Sequence, residues 1–196
     1  MPGGFVLCEY DDVKTEFPEF EAIMNTLEAK LQAKAMADWS PATYGGLKPT
    51  AGQFGKSTIM PPLFVGNAAT TLVTWNQWLP TTGSQTLLLG SNGGRLYEDY
   101  KVGFAGLAFL DKAIKVSEIK LQIGDKKLPR INIEEMRAYE KPAIIFEDNF
   151  IVDEEIGFEM LGYVEVPGEQ TIQLIGLELN RIPDKLFTTT TGAPLL

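Results

Sequence analysis

The chain has 196 residues, a formal net charge of −9, one cysteine and no histidine. That length can bury a core without disulfides or metals, and a lone cysteine, Cys8, makes no intramolecular disulfide framework, which fits a reducing compartment. Without histidine the commonest general base near neutral pH is gone, and with it the Ser-His-Asp and Cys-His arrangements and most zinc and non-haem iron sites.

The acidity works against sequence-independent binding to nucleic acid, which needs lysine and arginine to displace counterions from phosphates. The densest basic cluster, Lys126, Lys127 and Arg130, falls in a turn and reads as solvated. The longest apolar runs, such as "FAGLAFL", are far too short to cross a bilayer, so no transmembrane segment is expected. The N-terminus "MPGGFVLCEYDD" turns acidic at once, so no export signal is expected there. No cofactor and no catalytic or metal-ligating residue is nominated.

Residues 1–60 read as an arm. From Pro18 the pattern "PEFEAIMNTLEAKLQAKAMADW" places Phe20, Ile23, Met24, Leu27 and Leu31 at helical spacing, which predicts a helix over about residues 18–38. Glu19 and Glu21 stand near its positive end, and Lys30 and Lys34 near its negative end. Its apolar stripe is either a core face or a surface offered to a partner chain. "SPATYGGLKPTAGQFGKS" then stops the helix as a Gly/Pro-rich joint.

From Leu63 the period becomes strand-like. "TTLVTW" and "QTLLLG" read as strands separated by Pro80, Gly83 and Ser84, and "SNGGRLYEDY" holds a glycine turn. "KVGFAGLAFL" has small residues between larger ones, as in a strand packed closely on a neighbour. Ile119, Leu121 and Ile123 alternate with Lys120 and Gln122, a turn follows at Gly124 to Lys127, and Ile131 and Ile133 resume. "EEMRAY" suits a short helical turn, and "AIIFEDNFIV" another apolar strand. Many short strands with no long helix between them predict an all-β antiparallel sandwich or jelly roll over residues 61–187. The tail, residues 188–196, lacks periodicity.

The last strands, within "GFEMLGYVEVPGEQTIQLIGLELNRI", read as a hairpin turning at Pro167-Gly168-Glu169. Phe158, Met160, Val164 and Val166 share one face of its first strand, and Leu161 and Tyr163 the other. In the second strand Leu177 and Leu179 are out of phase with Ile172 and Leu174. A β-bulge at Ile175 or Gly176 would bring all four to one side. The second apolar face then meets the arm or another subunit.

Several motifs invite chemistry. Gly55-Lys56-Ser57 resembles a phosphate-binding loop, but Thr50 stands where the first glycine belongs and prolines flank the segment, so a joint explains the glycines better. Glu147, Asp148, Asp153, Glu154 and Glu155 flank one strand and could bind calcium or form an acid and base pair, yet their order matches no calcium loop and charges at strand ends are usually solvated. Trp75 and Trp78, three positions apart, fall on opposite faces of a continuous strand, which suits one to the core and the other to an interface. With Tyr97 and Tyr100 they could otherwise stack on sugar rings. Cys8 beside acids has neighbours that disfavour a thiolate.

Three functions follow: a structural subunit of a multimeric shell, a carbohydrate- or ligand-binding sandwich, and an enzyme using carboxylates. The long arm and the tail favour the first. The N-terminal segment, "EIKLQIGDKKLP", "KPAIIFEDNFIVDEEIGFEMLGYVEVPG" and the closing strand "QTIQLIGLELNRI" together resemble a single jelly-roll coat protein of a virus, over about residues 60–185. The resemblance implies a capsid subunit, non-enzymatic, packed with copies of itself and other shell proteins in a virion, or otherwise a cytoplasmic protein. Phe20, Ile23, Leu27, Leu31, Trp78, Leu161 and Tyr163 are the candidate interface residues. Coat proteins that hold a genome often carry a basic arm. Here Glu9, Asp11, Asp12, Glu16, Glu19, Glu21 and Glu28 face Lys14 alone, which suits contact with a membrane surface or another protein layer instead.

Overall fold

A computed structural model describes residues 5–8, 19–39, 54–65, 74–139 and 142–181. Most of the Gly/Pro joint, Thr70 to Val73 of the expected "TTLVTW" strand, Ile182 and the tail lie outside the described residues. In chain order the elements are β1 (Phe5–Cys8), α1 (Phe20–Asp38), β2 (Phe54–Thr58), β3 (Asn76–Leu79), β4 (Gly83–Leu89), β5 (Tyr100–Phe109), β6 (Val116–Ile123), β7 (Lys126–Lys127), β8 (Ile131–Asn132), α2 (Glu134–Tyr139), β9 (Ala143–Val152), β10 (Phe158–Val164) and β11 (Gly168–Arg181).

The strands form two antiparallel sheets, which makes the protein an all-β sandwich with an N-terminal helix. One sheet has the order β1-β9-β5-β11-β2, with β3 also pairing β11; the other has the order β4-β10-β6-β7, with β8 also pairing β6. Two segments expected in the arm, β1 and β2, are strands of the first sheet. Gly55-Lys56-Ser57 lies within β2, opposite Asn180, Leu179 and Glu178, so those residues form a ladder and not a loop between strand and helix.

Neighbours in sequence are rarely neighbours in a sheet. β3, β5, β9 and β11 belong to the first sheet, whereas β4, β6 and β10 belong to the second. The expected pairing of the last two strands is therefore corrected: β10 pairs β4 and β6, and β11 pairs β2, β3 and β5. The chain turns a corner between sheets at Glu165 to Pro167. There the amides of Glu165 and Val166 donate to Lys115 O at 2.8 and 3.4 Å, taking a partner from the β5–β6 loop that a hairpin would supply itself. Gly168, at φ +144°, allows the change of direction.

The irregularity expected at Ile175 or Gly176 is there, but the extra residue is on the partner strand. The register passes from Ile175↔Gly106 to Gly176↔Phe104, leaving Ala105 of β5 without a partner on β11. It is β5 that changes phase, so Val102, Phe104, Leu107 and Phe109 all enter the main core. β11 keeps its alternation: Ile172 and Leu174 point into that core, while Ile175 and Leu179 point to the opposite face.

The main core lies between the sheets. Phe158 of β10 anchors it, edge-on to Phe64 at 4.8 Å and to Phe104 at 5.8 Å between ring centroids. Ile119 and Leu121 of β6 also enter it, and Ile123 packs against its border, as their alternation requires. α1 lies outside this core on the far face of the first sheet. Met136 of α2 is buried in the main core. Among the described residues no helix is long and apolar enough to cross a membrane.

Candidate functional site

The outer face of the first sheet is where the helix, four strands and the least expected charges meet. Phe20 and Ile23 of α1 pack on Ala108, Ala143, Ile145 and Ile175. Leu27 and Leu31 are 0% and 1% exposed, and Leu31, Ala35 and Trp39 pack with Phe54 and Leu179. Gly103 makes room for the helix, because a Cβ there would lie 2.6 Å from Leu27 Cδ1. The stripe is a helical one, and within the chain it covers the sheet.

At the C-terminal end of α1 the contact becomes polar. Lys101 of β5 is buried, and its Nζ lies 2.8 Å from Asp38 Oδ2 at the end of the helix and 3.1 Å from Asp153 Oδ1 after β9. Lys34 reaches the same carboxylates, at 3.1 Å from Asp153 and 3.7 Å from Asp38. The Trp39 ring lies 5.3 Å from Lys101 Nζ, and its Nε1–H donates to Glu154 Oε1 at 3.0 Å. Glu154 Oε2 in turn accepts from the Asp99 amide at 3.0 Å. Asp99, in a left-handed backbone conformation at φ 70°, pairs with Arg181.

These groups set one another's charge. The hydrogen bond from Lys101 holds the Asp38 carboxyl below its ordinary value, against the opposing pull of burial. The Asp153 hydrogen bond holds the Lys34 ammonium above its ordinary value. The arrangement neutralises a buried cation and ties three segments that are remote in sequence. It fastens the end of the helix to β5 and to the residue after β9.

Away from this cluster a buried carboxylate, Glu178 of β11, accepts from Ser57 Oγ at 2.8 Å and from the Met60 amide at 2.9 Å. Burial pushes its carboxyl up, because removing the charge from water outweighs those two hydrogen bonds. It pins β2 and the turn beyond it to β11.

The nominated interface residues do not converge. Phe20, Ile23, Leu27 and Leu31 lie under α1 on the first sheet. Leu161 and Tyr163 point outward from β10 on the second sheet, Leu161 half-buried and Tyr163 48% exposed. Trp78 stands on β3, beside Glu169 of β11, and is 67% exposed, whereas Trp75 is buried. Of the acids around β9, Asp153 and Glu154 join the cluster and Glu155 is exposed at φ 59°. Among the described residues no group of three or more His, Cys, Asp or Glu is placed to hold a metal ion. Lys101 carries one signal in the sequence, a lysine near the start of a strand that is otherwise apolar. Compared with protein-family models, curated proteins and solved structures, the chain matches none.

Proposed function

We propose that the chain is a structural subunit of a multimeric shell, a single jelly-roll coat protein of a virus that assembles with copies of itself and other shell proteins. The observation that supports this most is the strand order. From β3 to β6 and again from β9 to β11 every connection crosses from one sheet to the other, which supports the reading because the two Greek keys of a jelly roll need such crossings. Lectin domains use that wiring too. A shell subunit is favoured over a sugar site because, among the described residues, the exposed aromatics Trp78, Tyr139 and Tyr163 are carried on three different elements, β3, α2 and β10, with Trp78 and Tyr163 on different sheets.

In this reading the protein does no chemistry and works by its surfaces. Large apolar side chains are exposed on both sheets, Trp78 on β3 of the first and Tyr163 on β10 of the second, and give contact points to more than one neighbour. Each contact is individually weak after the costs of association, so stability comes from their number. The net charge of −9 points the subunit toward protein or membrane-surface layers and away from direct contact with a genome. Sedimentation of the purified chain at rising concentration tests this: large, discrete species are expected. A chain that stays monomeric throughout and is retained by a glycan array would replace the shell reading with the ligand-binding one.

A further inference from the structure

Among the described residues Lys101 and Glu178 are the charged side chains that are buried, and Lys101 is the one whose counter-charges remain open to water. Its side chain is 1% exposed, while those of Asp38 and Asp153 are 41% and 27% exposed. Protons therefore reach the carboxylates without any movement of the chain, but the ammonium cannot reach water unless something moves. The Trp39 ring, itself 1% exposed, lies 5.3 Å from it.

We propose that Lys101 makes the C-terminal end of α1 a charge-operated latch: ionised Asp38 and Asp153 hold it closed, and neutralising both lifts the last helical turns and Trp39 from β5, uncovering Phe54, Ile151 and Leu179. A buried ammonium stripped of its counter-charges is strongly unfavourable, so it must be solvated or lose its proton. Solvation requires the groups packed on it to move, and Trp39 at the helix end is one of them. The opening is local, because Phe20 and Ile23 at the other end of the helix rest on apolar contacts that do not titrate.

The other charges facing this point do not substitute. Lys34 on the helix adds a second cation to the same two carboxylates and, at 40% exposure, can turn to water. Glu154 is engaged by Trp39 and the Asp99 amide. Arg181 on β11 pairs with Asp99, and Lys56 on β2 pairs with Glu28 of the helix at 2.7 Å. The sign follows from Asp38: its carboxyl is held below the ordinary value, so the latch is intact above that range and is lost as pH falls through the lowered one. The latch goes beyond the shell reading and does not depend on it.

Hydrogen exchange of the amides of residues 35–39, compared with those of residues 102–109, tests the proposal. In the unmodified chain taken from pH 7 to pH 3, with intrinsic exchange rates divided out, the helix end should lose protection at a higher pH than the sheet. Loss of both together overturns the latch. At pH 7 the double variant Asp38→Asn/Asp153→Asn should exchange at the helix end at least about tenfold faster with the sheet unchanged, and adding Lys101→Met should restore protection. An unchanged helix end in the double variant, or no recovery on removing the lysine, overturns it equally.

Discussion

Gly176 shows how narrowly single atoms set this fold. It passes the Ala105 bulge so closely that a Cβ would lie 2.1 Å from Gly103 O and 2.6 Å from Phe104 Cα, both backbone atoms that cannot step aside. Gly176→Ala is expected to destabilise the protein by about 3 kcal/mol, read as a lower urea midpoint with an unchanged slope. A variant as stable as the parent would contradict the register between β5 and β11. Glu178 carries a different kind of constraint. Its raised carboxyl pKa means that the native state takes up a proton more readily than the unfolded chain, so stability is fully present below the ordinary value of 4.5 and falls as pH rises through the raised one. Glutamine fits the same place, accepting from the Met60 amide and donating to Ser57 Oγ. Glu178→Gln should therefore be more stable than the parent near pH 8, with the difference shrinking toward pH 4.5 in denaturant titrations; a difference independent of pH would assign the effect to packing.

At the scale of elements, α1 is a cover and not a pillar. The main core between the sheets contains no residue of α1, whose contacts form separate clusters on the outer face. Leu27→Ala, which empties the space above Gly103, should cost about 2–5 kcal/mol, and its midpoint should fall while the far-ultraviolet spectrum of the sheets persists. Removing residues 1–40 should leave a folded β domain that binds a hydrophobic dye through Ala108, Ile145, Ile175 and Leu179, and that no longer assembles normally. Because that truncation also removes edge strand β1, unfolding of the truncated chain would make β1 or the helix essential to the fold. The helix was legible in the sequence because five apolar residues recur at a period that only a helix brings to one face. Of the strands, β6 was legible for the same reason at a period of two, whereas β1 and β2, read as arm, were not. The strand pairing was not legible either: alternation shows that Phe158 and Met160 are buried, but not that Leu121 and Leu88 flank Met160 while β11 lies in the other sheet. A short turn with proline and glycine suits a hairpin and a corner equally, and what decided here was Lys115, about fifty residues earlier, offering its carbonyl to the corner amides.

For the whole molecule, the same limit explains the candidate site. Lysine is rarely buried, so nothing local marks Lys101, and the partners that allow its burial lie 63 and 52 residues away along the chain. Trp78 was legible as a tryptophan on the face opposite Trp75, and Tyr163 as part of a second apolar face of its strand, whereas their separation onto different sheets followed only from the strand order. That order also makes the outside of the molecule unequal, with one sheet covered by α1 and the other presenting Leu161 and Tyr163 among polar neighbours. A subunit with several unlike faces suits a lattice in which each face meets a different neighbour. Electron microscopy of the purified full-length protein tests this account most directly: closed particles or rings of uniform size are predicted, and a field of single compact monomers at every concentration would contradict it.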